Sequence, residues 1–210
     1  MKTMESSLTK TTVAFTMAIR RRTIMYNSWR PVSVPYLPTS RDLFDLIFSV
    51  ARLCERDIFY DLGCGDGRIV IEAAKRANVR KAVGIEIDGN LVKVAREYVR
   101  KAGVEDRVEI IHGDFFTVPI RDATVVYMYL TKRANELLKP KLVRELKIGA
   151  RIVTLDFEIP GWKPVSVVTK NRLIQSTIYL YVRGVSDIYD MMGYSPVRRV
   201  LGTVYRRMIP

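Results

Sequence analysis

The chain reads as an α/β protein: a doubly wound, seven-stranded, mostly parallel sheet with helices on both faces. Three observations lead there. From Asp57 onward, short β-rich runs alternate with helical periodicities. The first of these runs, 57–62, breaks into the loop G63-x-G65-x-G67 just before a helical pattern begins. The chain has 210 residues, 48% of them hydrophobic and 10% aromatic, enough for one core with some extra sequence.

The elements follow in order. "TSRDLFDLIFSVARL" (39–53) has an amphipathic spacing and begins with a Thr/Ser cap, so it is expected to be helical. The proline-rich "PVSVPYLP" (31–38) before it reads as extended. "DIFYDL" (57–62) is the first strand, and a helix follows the glycine loop over about 66–77. "KAVGIEI" (81–87) is the second strand. In 89–103, Leu91, Val92, Ala95, Val99 and Ala102 recur at helical spacing, and Gly103 supplies a C-terminal cap. "RVEIIHGD" (107–114) and "ATVVYMYL" (123–130) are the third and fourth strands. "TKRANELL" is helical, and Pro140 is expected to open a second helical segment, because proline is tolerated in a first turn. "ARIVTLDFEI" (150–159) is the fifth strand. The runs 164–170 and 175–183 have no helix between them and read as an antiparallel hairpin closing the sheet edge.

Composition removes several classes of function. No apolar run approaches the roughly 20 residues that span a bilayer, so no membrane span is expected. With one histidine, His112, and two cysteines, Cys54 and Cys64, the usual zinc ligand sets cannot be built; no metal is expected. Two cysteines make no disulfide framework, which fits a reducing, cytoplasmic setting. The net charge of +13 is concentrated at the ends: residues 1–35 carry six Lys or Arg against one acid. Residues 183–210 carry five against two. Such ends suit nucleic acid or an anionic surface, and serve equally for solubility alone. The Arg20–Arg22 run resembles a targeting peptide only weakly; Met17 or Met25 as the natural start is the preferred reading.

The glycine loop carries the chemistry. Gly63, Gly65 and Gly67 allow a tight turn and close approach of a ligand to the backbone, and the following helix offers unpaired N–H groups. Yet the loop holds Asp61 and Asp66 and no lysine, and Glu86 ends the next strand. Carboxylates there repel a pyrophosphate. They suit S-adenosylmethionine, a nucleoside with a cationic sulfonium and an α-ammonium but no phosphate. Glu86 is placed to bond the ribose hydroxyls, and the glycine N–H groups to donate to the ligand's carboxylate. "GDFF" (113–116) adds Asp114 for the adenine amino group and Phe115 beside the ring.

Together these segments resemble the class I, Rossmann-like methyltransferases. "VPYLPT" (34–39), "YDLGCGDGRI" (60–69), "AVGIEI" (82–87), "GDFF", "ATVV" (123–126), "LKPKL" (138–142) and "FEIPGW" (157–162) are similar to the archaeal protein-lysine methyltransferases and, more distantly, to their mitochondrial relatives. The resemblance covers about 34–183 and implies a methyltransferase domain there, flanked by basic extensions over 1–33 and 184–210. It implies methyl transfer from S-adenosylmethionine to lysines exposed on protein substrates. The cofactor set so implied is Tyr36, Thr39, Asp61, Gly63, Gly65, Asp66, Glu86, Ile87, Asp114, Phe115 and Tyr129. Tyr36, Tyr129 and Phe157 would position the reacting groups; Tyr127 would lie near the transferred methyl, and Trp162 would line the substrate entrance. Relatives tend to carry histidine where Leu155 or Asp156 stands, which leaves the substrate side open. Two other functions stay open: an RNA or DNA methyltransferase using the basic ends, and a non-catalytic S-adenosylmethionine-binding protein. Against the first, "YMYLT" lacks the Asn/Asp-Pro-Pro-aromatic run usual where an exocyclic base nitrogen is methylated.

Overall fold

β-Branched runs flanked by glycine and charge build the sheet, whose strands are β1 (Ile58–Leu62), β2 (Lys81–Glu86), β3 (Val108–His112), β4 (Val125–Met128), β5 (Arg151–Leu155), β6 (Ser166–Lys170) and β7 (Ser176–Val182). The computed structural model describes residues 34–170 and 176–191. The chain divides into two units, Met1–Leu37 and Pro38–Pro210. Of the first, the described residues 34–37 have no regular structure. The expected extension over 1–33, and residues 192–210 of the other, lie outside the described residues.

The strand order is β3-β2-β1-β4-β5-β7-β6. β1 to β5 are parallel, while β7 runs antiparallel to both β5 and β6. The expected closing hairpin is therefore present, with β7 inserted between β5 and β6. The chain winds outward from β1 to β3, then returns to place β4 on the other side of β1. That reversal opens a crevice at the carboxyl ends of β1 and β4.

The helices are α1 (Phe44–Ala51), α2 (Arg68–Arg76), α3 (Gly89–Ala102), α4 (Lys132–Glu145) and the short α5 (Ile188–Met191). Phe44, Ile47 and Phe48 of α1, Val70 and Ala74 of α2, and Val92 and Ala95 of α3 share one core with Phe59, Val125, Tyr127 and Val153 from the sheet. Alternate strand positions point to the opposite face, where Leu62, Val126, Met128 and Ile152 are completely buried. The completely buried Leu138 and Leu142 of α4 belong to that second layer, because a right-handed crossover in the reversed winding direction puts its helix on the other side. The packed chain continues past Arg183: Ser186 and Asp187 are buried, and Lys139 Nζ reaches Asp190 Oδ2 at 2.9 Å.

Two local expectations are corrected. Pro140 opens no new helix; it lies inside the continuous α4, which Thr131 caps by accepting the Ala134 N–H at 3.2 Å. The cap expected at Thr39/Ser40 does not form either. A 3-10 turn over Arg41–Leu43 precedes α1, and the Ser40 hydroxyl donates to the Asp42 carboxylate instead. By contrast, Gly103 closes α3 at φ 64° as expected, and Asp88 caps its start through Asn90 N at 2.8 Å.

Candidate active site

The glycine loop leaves β1 at the point where the strand order reverses. Gly63, Gly65 and Gly67 take φ values of 85°, 57° and 76°, a region where a Cβ is crowded. The Gly63 and Cys64 N–H groups both donate to the Ile85 carbonyl, at 2.9 and 3.0 Å, tying the loop to β2. A Cβ on Gly63 would stand 3.2 Å from Leu130 and 3.9 Å from Phe115. Those two side chains therefore close on the loop from the ends of β4 and β3. The motifs do not single out Leu130; its contact arises only when β4 lies beside β1.

Three buried carboxylates gather at this loop, and each meets a different surrounding. Glu86 accepts three backbone N–H groups: Gly65 at 2.9 Å on Oε2, and Ile87 and Asp88 at 2.8 and 2.9 Å on Oε1. Asp66 faces the Arg68 guanidinium, with Nη2 at 2.6 Å and Nε at 2.9 Å. The same guanidinium reaches the Thr39 carbonyl at 3.5 Å. Asp61 has no cation or hydrogen-bond donor among the described residues. Burial, then Glu86, then Asp66 push its carboxyl well above the usual carboxylate range. A buried acid between two other acids is poised to receive a cation.

The third strand end is also ordered. Asp114 Oδ1 accepts the Phe116 N–H at 2.7 Å, leaving Oδ2 for an incoming donor. Phe115 is buried, its ring 4.8 Å from that of Phe116.

On the β4 side, Asp61 and Tyr127 are register partners. The Tyr127 hydroxyl is buried and shares a 2.8 Å hydrogen bond with the Thr39 hydroxyl. Thr39, a member of the expected cofactor set, thus already has a protein partner. The Tyr129 phenol donates to Asp156 Oδ2 at 3.1 Å; burial and then Asp156 push its pKa up to about 12. Phe157, just beyond, is 42% exposed. Trp162 does not line an entrance as expected: it is buried, edge-on to Tyr181 at 6.3 Å. Glu158 pairs with Lys132 Nζ at 2.5 Å. Tyr36 is exposed and lies in the first unit.

Comparison with known proteins narrows the chemistry. The ANTKMT methyltransferase domain family matches residues 61–166. A protein-lysine N-methyltransferase of Saccharolobus islandicus is 48% identical over 152 residues, covering 72% of this chain and 94% of that one. The chain belongs to the ANTKMT methyltransferase domain family. This methyltransferase is also 37% identical over 137 residues to the adenine nucleotide translocase lysine N-methyltransferase of Mus musculus. That match covers 65% of this chain and only 59% of the mouse protein. The crystal structure of an RNA methyltransferase from Salinibacter ruber in complex with S-adenosyl-L-homocysteine superposes with a TM-score of 0.66 at 41% identity. That match covers 70% of this chain and 93% of the other.

The cofactor is S-adenosylmethionine, and the residues of the crevice fit it. Asp61 supplies an unpaired carboxylate for a cationic group, and Glu86 retains lone-pair capacity toward hydroxyls beside the three amides that orient it. The positive-φ glycines keep the loop backbone bare of side chains, and Phe115 borders the crevice. Arg68 neutralises Asp66, so the three acids do not all compete for one cation.

Proposed function

We propose that the enzyme transfers the methyl group of S-adenosylmethionine to the side-chain amine of lysines exposed on protein substrates. The observation that carries this reading is the 48% identity to a protein-lysine N-methyltransferase over 94% of that protein's length. The cofactor residues in this reading are Tyr36, Thr39, Asp61, Gly63, Gly65, Asp66, Glu86, Ile87, Asp114, Phe115 and Tyr129. Tyr36, Tyr129 and Phe157 position the reacting groups. The two free cysteines, one of them exposed, suit a reducing, cytoplasmic setting.

When bound, the cofactor supplies a methyl group on a sulfonium, open to in-line displacement. The chain's own work is placement. A lysine ammonium, with a pKa near 10.4 in solution, must shed a proton before it can attack. An aromatic wall of the half-buried Tyr129 and the exposed Phe157 disfavours the charged form and so lowers that pKa. Asp61 neutralises charge on the cofactor side and keeps it from adding to the repulsion at the acceptor. Holding the two partners in line then accounts for much of the rate.

A second reading has one specific observation in its favour: the Salinibacter ruber protein, 41% identical, is an RNA methyltransferase by description. The basic ends would then contact phosphates. One experiment separates the two. The purified enzyme is incubated with methyl-labelled S-adenosylmethionine and whole-cell extract, and the sample is split between protease and nuclease. Label removed by protease, retained after nuclease and mapped to lysine by mass spectrometry supports the first reading. Label lost to nuclease replaces it with the second, and bound cofactor with no label leaves a binding protein.

A further inference from the structure

The turn after β5 holds an unusual backbone. Asp156 has φ 60°, and the Phe157 N–H donates back to the Leu155 carbonyl at 2.7 Å. A three-residue turn of this hand on a residue with a Cβ is rare and strained, and it persists only where its surroundings over-determine it. Here three elements do so. β7 grips both sides of Asp156: its N–H donates to the Thr177 carbonyl at 2.7 Å, and its Oδ1 accepts the Thr177 N–H at 3.0 Å. From α4, the completely buried Asn135 donates to the carbonyls of Phe157 and Glu158, at 2.9 and 3.3 Å. From the end of β4, the Tyr129 hydroxyl donates to Asp156 Oδ2 at 3.1 Å.

That last bond fixes the direction of a proton. A phenol can donate or accept. Beside a nucleophilic amine the difference matters, because a hydroxyl that donates to the nitrogen lone pair blocks the pair that must attack. With its proton held by Asp156, the Tyr129 oxygen offers lone pairs alone. It can accept an amine N–H, which turns the nitrogen lone pair elsewhere.

We propose that Asp156 is a positioning residue of the acceptor pocket, holding the Tyr129 phenol as an obligatory hydrogen-bond acceptor for the N–H groups of the incoming lysine amine. This rests on the protein-lysine reading above. The strained turn is the scaffold for that task, and it also presents the exposed Phe157 beside it.

Asp156→Asn is the informative variant. Asparagine tolerates positive φ, and its amide oxygen can keep the Thr177 bond. Its NH2 then faces the phenol and forces the Tyr129 proton to turn toward the acceptor. The acceptor used is the extract protein that the wild-type enzyme labels most strongly, purified. Expected are a fall of at least 30-fold in kcat/KM for that protein, S-adenosylmethionine affinity within about threefold of wild type, and little change in Tm. Tyr129→Phe, assayed at saturating S-adenosylmethionine, should lose a comparable factor, and the double variant should be no worse than either single one. Wild-type kcat/KM in Asp156→Asn, or losses that multiply in the double variant, would overturn the proposal. If Asp156→Asn also loses the cofactor, Tyr129→Phe decides at saturating S-adenosylmethionine: a raised acceptor KM supports it, and an unchanged KM refutes it. A wild-type enzyme that labels no protein lysine removes the lysine reading and this proposal together.

Discussion

At the scale of single residues, two acids of the crevice behave in opposite ways. Asp61 is buried without a cation, so its folded pKa stands above its unfolded one. The stability it contributes is full below the ordinary value of 3.8 and is lost as pH rises through the folded value. Ligand-free Asp61→Asn protein should therefore be more stable than wild type at pH 8; a gain of about 1 kcal/mol would appear as a Tm rise of about 2–4 °C in thermal denaturation. The same variant should bind S-adenosylmethionine at least tenfold more weakly by titration calorimetry. Wild-type affinity should fall as the pH is lowered through the folded pKa of Asp61, and the asparagine variant should lack that slope. A destabilised Asp61→Asn protein with normal affinity would sink the site assignment. Glu86 is different, because it satisfies three backbone N–H groups. Glu86→Ala strips them of their partner, at about 1–3 kcal/mol for each one left unpaired and buried. Tm and affinity should both fall, the affinity at least tenfold. Asp61, Glu86, Asp114 and the glycines were legible because each sits at a strand end marked by local pattern. Leu130 and Asp156 were not, since a contact with Gly63 and a clamp between Tyr129 and Thr177 join distant parts of the chain. The signals available near Asp156 are an acid straight after the apolar run of β5 and the histidine that relatives tend to carry where Leu155 or Asp156 stands.

At the scale of elements, local rules were mostly sufficient and failed where packing overruled them. Pro140 reads as a helix start, yet α4 runs through it because Leu138 and Leu142 on either side are completely buried. The ring itself is exposed. An interior proline costs up to about 3 kcal/mol. Pro140→Ala should thus stabilise by about 1 kcal/mol or more, read as a raised Tm with unchanged cofactor affinity; no gain would mean that the helix is already relaxed around the ring. The β1–loop–β2 junction gives the converse case. A Cβ at Gly84 would lie 2.5 Å from Cys64 Sγ and 2.9 Å from its Cβ. Gly84→Ala should destabilise by about 1–3 kcal/mol through overpacking. Adding Cys64→Ala should recover part of that loss and not all, because the Cβ contact remains; simple additivity in a double-mutant cycle would argue against a direct clash.

At the scale of the whole molecule, the winding order places the candidate residues that follow the strands at one end of the sheet. The strand order β3-β2-β1-β4-β5-β7-β6 brings the ends of β1, β2 and β3 side by side, where the proposed cofactor residues follow, and those of β4 and β5 side by side, where the proposed acceptor residues follow. Residues 1–33 carry six Lys or Arg against one acid and supply none of the cofactor set. Removing them should leave S-adenosylmethionine affinity within about twofold; a large loss on calorimetric titration would show that the extension takes part in the site. By itself the sequence determined the element order, the parallel sheet with its antiparallel closing strands, the glycine loop and the choice of a cationic nucleoside. These follow from periodicity and from charges set at fixed spacings along the chain. Only the tertiary structure decided that Asp66 is neutralised by an Arg68 that also reaches Thr39, that Thr39 bonds Tyr127, that Trp162 is core, and that Asp156 sets the direction of the Tyr129 proton. The reason is physical: hydrogen bonds between side chains far apart in sequence depend on which strands become neighbours, and no local pattern encodes that.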